Sequence, residues 1–293
     1  MTQIRNVAEI VKPQRAIEGA GVSLVRSLGT ERHNYLDPFL LLDHFESTNP
    51  RDYQAGFPFH PHRGIETVTV VRTGAIRHGD SLGHKGSIGA GDIQWMTSGS
   101  GILHEEMPQV RPEGNAGLQL WLNLPAKDKM TRPKYRELSG ASLPEIETDE
   151  GAKIRVIAGE SAGGRFKGPV EGLAVAPKFV DVVLPAGASF RDDVPAGHTA
   201  FAYVDRGEVV FGSGPDAKLV KGPALVIFGD GDAIEAKASG SGGRFLLAAA
   251  RPLHEPIARY GPFVMNTRNE IEETLRDLES GHFIRQEPAD ARD

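Results

Sequence analysis

The chain has 293 residues, enough to bury a sizeable core and more than one core usually needs, so two domains, or one elaborate one, are expected. Its 39% hydrophobic and 25% charged residues fit a globular protein, and a net charge of -6 without a run of Lys and Arg excludes one that grips phosphate backbones through its own field. With no cysteine, disulfides and thiolate metal sites are excluded, while 35 glycines and 20 prolines predict the frequent turns of an all-β chain.

From Met1 to Ser27 charged and apolar residues alternate, with no apolar core of a secretory signal, and no later apolar run approaches the ~18 residues of a membrane span. A soluble, cytoplasmic chain is expected. The next segment carries the most informative pattern. His60 and His62 form one pair of metal-ligand residues and His104 and Glu106 another, each spaced i, i+2. In an extended strand that spacing puts both members on one face. If the segments 59–73 and 102–107 run side by side in a barrel, three imidazoles and a carboxylate can converge on one ion. Five of the ten histidines fall between His60 and His104, which supports clustering. Such donors suit iron, zinc, copper, nickel or manganese, and an open catalytic or sensing centre better than a closed structural one. His78 and His84, in a Gly-rich polar stretch, are expected to be solvated, and Trp95 and Met96 to lie in the core. Gly99 and Gly101 permit a tight turn ahead of His104.

In GLQLWLNL, residues 117–124, Leu118, Leu120, Leu122 and Leu124 share one face of a strand and Gln119, Trp121 and Asn123 the other, which makes the latter three candidate cavity residues. The polar, proline-bearing stretch from about 125 to 149 reads as a linker, giving domains of 1–136 and 137–293. Strand-like runs follow at 154–157, 179–184, 199–204, 208–211, 224–228 and 244–250. The strand, glycine, strand rhythm of 68–76 returns at 201–210. Superimposing Gly74 on Gly207 places Asp193 and Pro195 where His60 and His62 stand, so the second half reads as a copy without ligands. One helix is expected near the C-terminus, with Thr267 and Glu270 as a capping box, Ile271, Leu275 and Leu278 on one face, and Gly281 as its stop. The polar tail EPADARD is expected to be mobile.

The segment HPHRGIE, 60–66, with Gly74, and the segment from Gly91 to His104 approximate the two cupin motifs, with Thr97 in place of a proline and extra residues before Gly101. FPFHPHRGIETVTVV, GDIQWMTSGSGILHEEMP, LDPFLLLDHF, GLQLWLNLP and YGPFVMNT resemble the pirin family in order and over most of the chain. The resemblance implies two tandem cupin (double-stranded β-helix) barrels and a short C-terminal helix, with a single divalent metal, preferably Fe(II), in the first barrel. It puts the ligands on His60, His62, His104 and Glu106; Glu66, the usual cupin carboxylate, is assigned to orienting an imidazole or serving as a rival base to Glu106. Glu105 differs from the pirin pattern but points away by parity. Pirins are linked to quercetin 2,3-dioxygenase activity, which implies a flavonol-like aromatic substrate and O2. They are also linked to metal-dependent co-regulation, in eukaryotic nuclei or on metabolic enzymes, which implies a protein partner rather than direct nucleic-acid or membrane binding. A third class, a sugar isomerase, would bring a basic phosphate site that the sequence lacks.

Overall fold

Period-two alternation becomes sheet along most of the chain in the computed structural model, which describes residues 2–285. The polar tail EPADARD lies outside the described residues. Two compact units form. One takes Gln14–Ala141 and the chain from Leu253 onward; the other takes Ser142–Pro252 and the chain up to Pro13. This division differs from a cut between 136 and 137, which falls inside the strand Lys134–Leu138. That strand pairs with Ile93–Thr97 from Lys134 opposite Thr97 to Leu138 opposite Ile93, so the stretch expected to be a linker contributes an edge to the first barrel.

The first unit is built from two sheets. A four-stranded sheet runs in the order Phe57–His62, Ile102–Pro108, Ala75–Asp80, Lys85–Gly89. A seven-stranded sheet has Ile65–Thr73 and Asn115–Asn123 at its centre, with Phe39–Ser47 beyond. Along Asn115–Asn123 the expected alternation holds: Leu118, Leu120, Leu122 and, just past it, Leu124 are buried, and Gln119 and Trp121 turn to the other face. The apolar cluster inside this barrel is small, with Leu24, Phe45, Val71, Ile76 and Ile88. The barrel is therefore left partly hollow.

The helix Arg268–Glu279 belongs to this first unit and starts as the sequence predicts. Glu270 N donates to Thr267 Oγ1 and Thr267 N donates to Glu270 Oε2, which satisfies two of the free N–H groups of the first turn. Ile271 is buried and Leu275 packs beside it against Phe263 and Met265, whereas Leu278 is exposed and Thr274 takes its place on the buried face. Gly281 follows the helix at φ +77°, the left-handed geometry that glycine adopts without strain.

The second unit carries the repeat of the fold. The runs expected at 199–204 and 208–211 join into one strand, Thr199–Phe211, that bends at Gly207, and 244–250 is the end of the long strand Ala233–Ala250. Gly74 and Gly207 play one part: an added Cβ would meet Gly114 O at 2.4 Å in the first barrel and Gly242 O at 2.2 Å in the second. Strand register then corrects the superposition by one residue. His104 lies opposite His60, and its counterpart Ile234 lies opposite Asp192, so Asp192 and Val194 rather than Asp193 and Pro195 occupy the places of His60 and His62. The second interior is filled by Phe190, Phe211 and Phe245 in edge-to-face contact at 5.3–5.4 Å between centroids.

Candidate metal centre

Strands Phe57–His62 and Ile102–Pro108 run antiparallel, with His60 opposite His104 and His62 opposite Ile102. The three imidazoles converge: ring centroids lie 4.4 Å apart for His60 and His104, 4.8 Å for His60 and His62, and 5.0 Å for His62 and His104. One nitrogen from each can be chosen so that all three lie within 4.8 Å of one another. The carbonyl of Pro58 accepts from His60 Nδ1 at 2.9 Å, which fixes the tautomer and leaves Nε2 free to bind. His104 is fully buried and neither of its nitrogens has a hydrogen-bond partner among the described residues; His62 Nδ1 is in the same condition. An unsatisfied buried polar atom costs about 1–3 kcal/mol, and a cation among the three rings removes that cost. Burial pushes the ionisation of all three down, reinforced at His62 by His60 and at His104 by His62 and His60, so the rings are neutral as metal ligands must be. The residues present fit a divalent metal.

Glu106 sits two residues beyond His104 on the same buried face. An irregularity in pairing puts Glu106 opposite Phe57, three residues from His60, and re-aims the carboxylate. It falls outside the spacing of the imidazole cluster but lines the same cavity as His60 and His62. The Thr69 hydroxyl lies 3.1 Å from Glu106 Oε1 and also contacts Gln119 Oε1, and Gln119 Nε2 donates to Glu106 Oε2 at 3.4 Å. Burial outweighs these contacts and raises the Glu106 carboxyl to about 7. Glu105, as parity predicts, lies on the outer face and pairs at 3.8 Å with exposed Arg77.

Glu66 is not brought to this site. It shares parity with His60 and His62, but the chain breaks strand at Arg63 and Gly64, and along Ile65–Thr73 it is Thr69 that faces the cavity. Three residues away, Glu66 falls on the other face, where Thr97 Oγ1 donates to its Oε1 at 2.8 Å. His78 also differs from expectation. It is buried on the strand Ala75–Asp80, directly opposite Glu106, with Tyr135 Oη 3.1 Å from Nδ1 and Glu137 2.9 Å from Nε2. His84 stays exposed, stacked on Tyr135 and paired with Asp80 at 2.7 Å. Trp95 and Met96 are core residues as expected.

The cavity holds about 640 Å³. Its apolar wall comes from residues such as Leu24, Leu41, Tyr53, Phe57 and Trp121, and its polar end from His60, His62, Glu106, Thr69 and Gln119. Trp121 stands edge-on to His62 at 5.1 Å. Of the three expected cavity residues, Gln119 and Trp121 reach it; Asn123 instead accepts from the buried Lys129 ammonium. Arg26, Asp43 and Arg259 also line the chamber and had no sequence signal, because they arrive from strands distant in the chain.

Tandem barrels of this topology, with a histidine cluster in the first and Asp192, Val194, Ile234 and Ala236 at the matching places in the second, define a bicupin with one candidate metal centre among the described residues. The family model described as Pirin matches residues 21–122, and that described as the Pirin C-terminal cupin domain matches residues 179–284. The chain belongs to the pirin family. It is 42% identical to a Pseudomonas aeruginosa protein provisionally named a quercetin 2,3-dioxygenase, over 96% of this chain and 99% of that one. It is 38% identical to mouse pirin over 95% and 93% of the two chains. A crystal structure of quercetin 2,3-dioxygenase from Acinetobacter baumannii superimposes with a TM-score of 0.85 at 35% identity, covering 96% of this chain and 98% of that one.

Proposed function

We propose that this chain is a metal-dependent dioxygenase of the quercetin 2,3-dioxygenase type, opening a flavonol-like aromatic ring with O2. The observation that carries the reading is the set of buried imidazole nitrogens without protein partners beside an apolar chamber wide enough for a planar aromatic molecule. Similarity to the Pseudomonas and Acinetobacter proteins supports the same chemistry. His60, His62 and His104 would hold the metal, with Glu106 as the carboxylate donor; Fe(II) is the proposed ion, with zinc, nickel, copper and manganese as competitors for the same donors. The metal would supply Lewis acidity to a substrate hydroxyl and a site for O2.

The protein's own residues supply the rest. Glu106 takes the hydroxyl proton, and Thr69 and Gln119 hold its two oxygens in place for that transfer. Trp121 and Phe57 offer flat apolar surface to the aromatic rings and exclude water. Glu66, on the far face with Thr97, has no part in the transfer.

The test is anaerobic loading with each metal in turn, followed by admission of oxygen with a flavonol and spectral assay. Turnover is expected with Fe(II) and is expected to vanish in His62→Ala and to fall in Glu106→Gln. If no metal gives turnover while metal-loaded protein captures a protein partner, the oxygenase reading falls and a metal-dependent interaction role replaces it.

A further inference from the structure

The outer part of the cavity contains two guanidinium groups with different surroundings. Arg26 is fully engaged: it makes a two-pronged pair with Asp43, with Nε to Oδ1 and Nη2 to Oδ2 both at 2.7 Å, and its Nη1 lies 2.7 Å from Glu18. Arg259, from the strand Ala258–Tyr260, has no carboxylate at ion-pair distance among the described residues. Its guanidinium carbon lies over the Trp121 ring, 5.1 Å from the centroid, and two carbonyl oxygens fix it, Gly261 O from Nε at 3.3 Å and Leu40 O from Nη1 at 3.4 Å. Nη2 has no protein partner among the described residues, and the residue is accessible at the cavity wall. A cation held flat on an aromatic face, with one edge of donors free, is preorganised for an anion.

Trp121 connects this group to the imidazoles, since the same side chain meets His62 edge-on at 5.1 Å. A planar molecule lying along Trp121 would thus meet a metal centre at one place and a free guanidinium edge at another. The neighbouring carboxylates, Asp43 and Glu18, are paired with Arg26; their field reaches Arg259, but neither makes an ion-pair contact with it among the described residues.

We infer that Arg259 is a specificity-determining residue that selects planar aromatic ligands carrying an anionic oxygen group, a carboxylate or an ionised phenol, over their neutral analogues. The inference rests on reading this cavity as the ligand chamber of the metal centre, but not on flavonol turnover. The test uses equilibrium binding rather than activity. Metal-loaded protein is titrated by calorimetry with 2-naphthoate and with its neutral analogue naphthalene-2-carboxamide, for wild type, Arg259→Gln and Arg259→Lys. Wild type is expected to bind the naphthoate about tenfold tighter, Arg259→Gln to lose that preference while keeping its affinity for the amide, and Arg259→Lys to retain part of it. Thermal melting of each variant establishes that the fold is unchanged. Equal affinities in wild type, a preference that survives in Arg259→Gln, or no binding of either probe would overturn the inference. If the preference follows Arg259 while no flavonol is turned over, this inference stands and the dioxygenase reading falls; the reverse pair of results separates them the other way.

Discussion

Glu106 and the three histidines are buried together, yet burial moves them in opposite directions. The carboxyl is raised to about 7, so the folded protein keeps a proton that the unfolded chain has already released. Its contribution to stability is present below the ordinary carboxyl range and is lost as pH rises through 7. The imidazoles are depressed from 6.5, so theirs is present above that value and lost as pH falls below it. In metal-free protein, Glu106→Gln is therefore expected to change the Tm little at about pH 5 and to raise it at about pH 8.5, by roughly 3 kcal/mol in stability. Melting curves at the two pH values check this, and an equal shift at both would show that the carboxyl is not the buried group. Adding metal should reverse the order at the higher pH, because the carboxylate then has a cation. Thr69→Val probes the support of that carboxylate: metal affinity is expected to fall about 10–100-fold, with a stability loss of about 1–3 kcal/mol from the buried oxygens left short of a partner. Calorimetric metal titration reads the first and differential scanning the second.

The elements that carry these residues meet at a corner, Arg63 and Gly64, between the strand of the two histidines and the strand of Thr69. Gly64 has φ +81°, and a Cβ there would come within 2.0 Å of Val264 O. Gly64→Ala is expected to destabilise the protein by at least about 1–3 kcal/mol from backbone strain alone and to weaken metal binding with it, as denaturant titration with and without metal would show. Arg63 donates to Ser100 O in the neighbouring turn at 2.7 Å and ties the same corner to the C-terminal helix through Thr274 Oγ1 at 3.2 Å and Asp277 Oδ2 at 2.8 Å, with its guanidinium 4.6 Å from the Phe283 centroid. This corner also marks the limit of what the sequence makes legible. Parity is a property of an uninterrupted strand, so it puts His60 and His62 on one face and His104 and Glu106 on one buried face, and it does not carry past Gly64 to Glu66. His78 was misread for a related reason: glycines around it suggest a loop, but Tyr135, 57 residues away, stacks on its ring at 5.2 Å and closes it from solvent. The fold itself was readable because alternation, turn glycines and the capping box are local, while the guanidinium groups of the cavity come from chain segments that no local pattern connects.

Across the whole molecule, one barrel topology has been used twice with opposite interiors. The second is packed with aromatic rings, and the acid at the place of His60, Asp192, is consumed by Lys178 at 2.8 Å and by Ser161 Oγ at 2.7 Å. The first gives up that packing for a chamber and takes part of its closure from the far end of the chain. Lys129, buried and lowered to about 7 by its surroundings, donates to Gly64 O, Asn123 Oδ1 and Val264 O, so one of its three acceptors lies beyond residue 252. Arg63 likewise depends on Thr274 and Asp277. A fragment of residues 14–141 would keep all four proposed metal ligands but leave both buried cations short of partners, and losing one partner of a buried charge costs about 3–5 kcal/mol. That is a large part of the roughly 5–15 kcal/mol available to a domain. The fragment is expected to lack a cooperative melt and to bind metal weakly, and a separate 253–285 peptide is expected to restore both. Calorimetry of the fragment with and without the peptide decides it: a sharp melt and full metal binding without the peptide would show that the C-terminal segment only decorates the barrel.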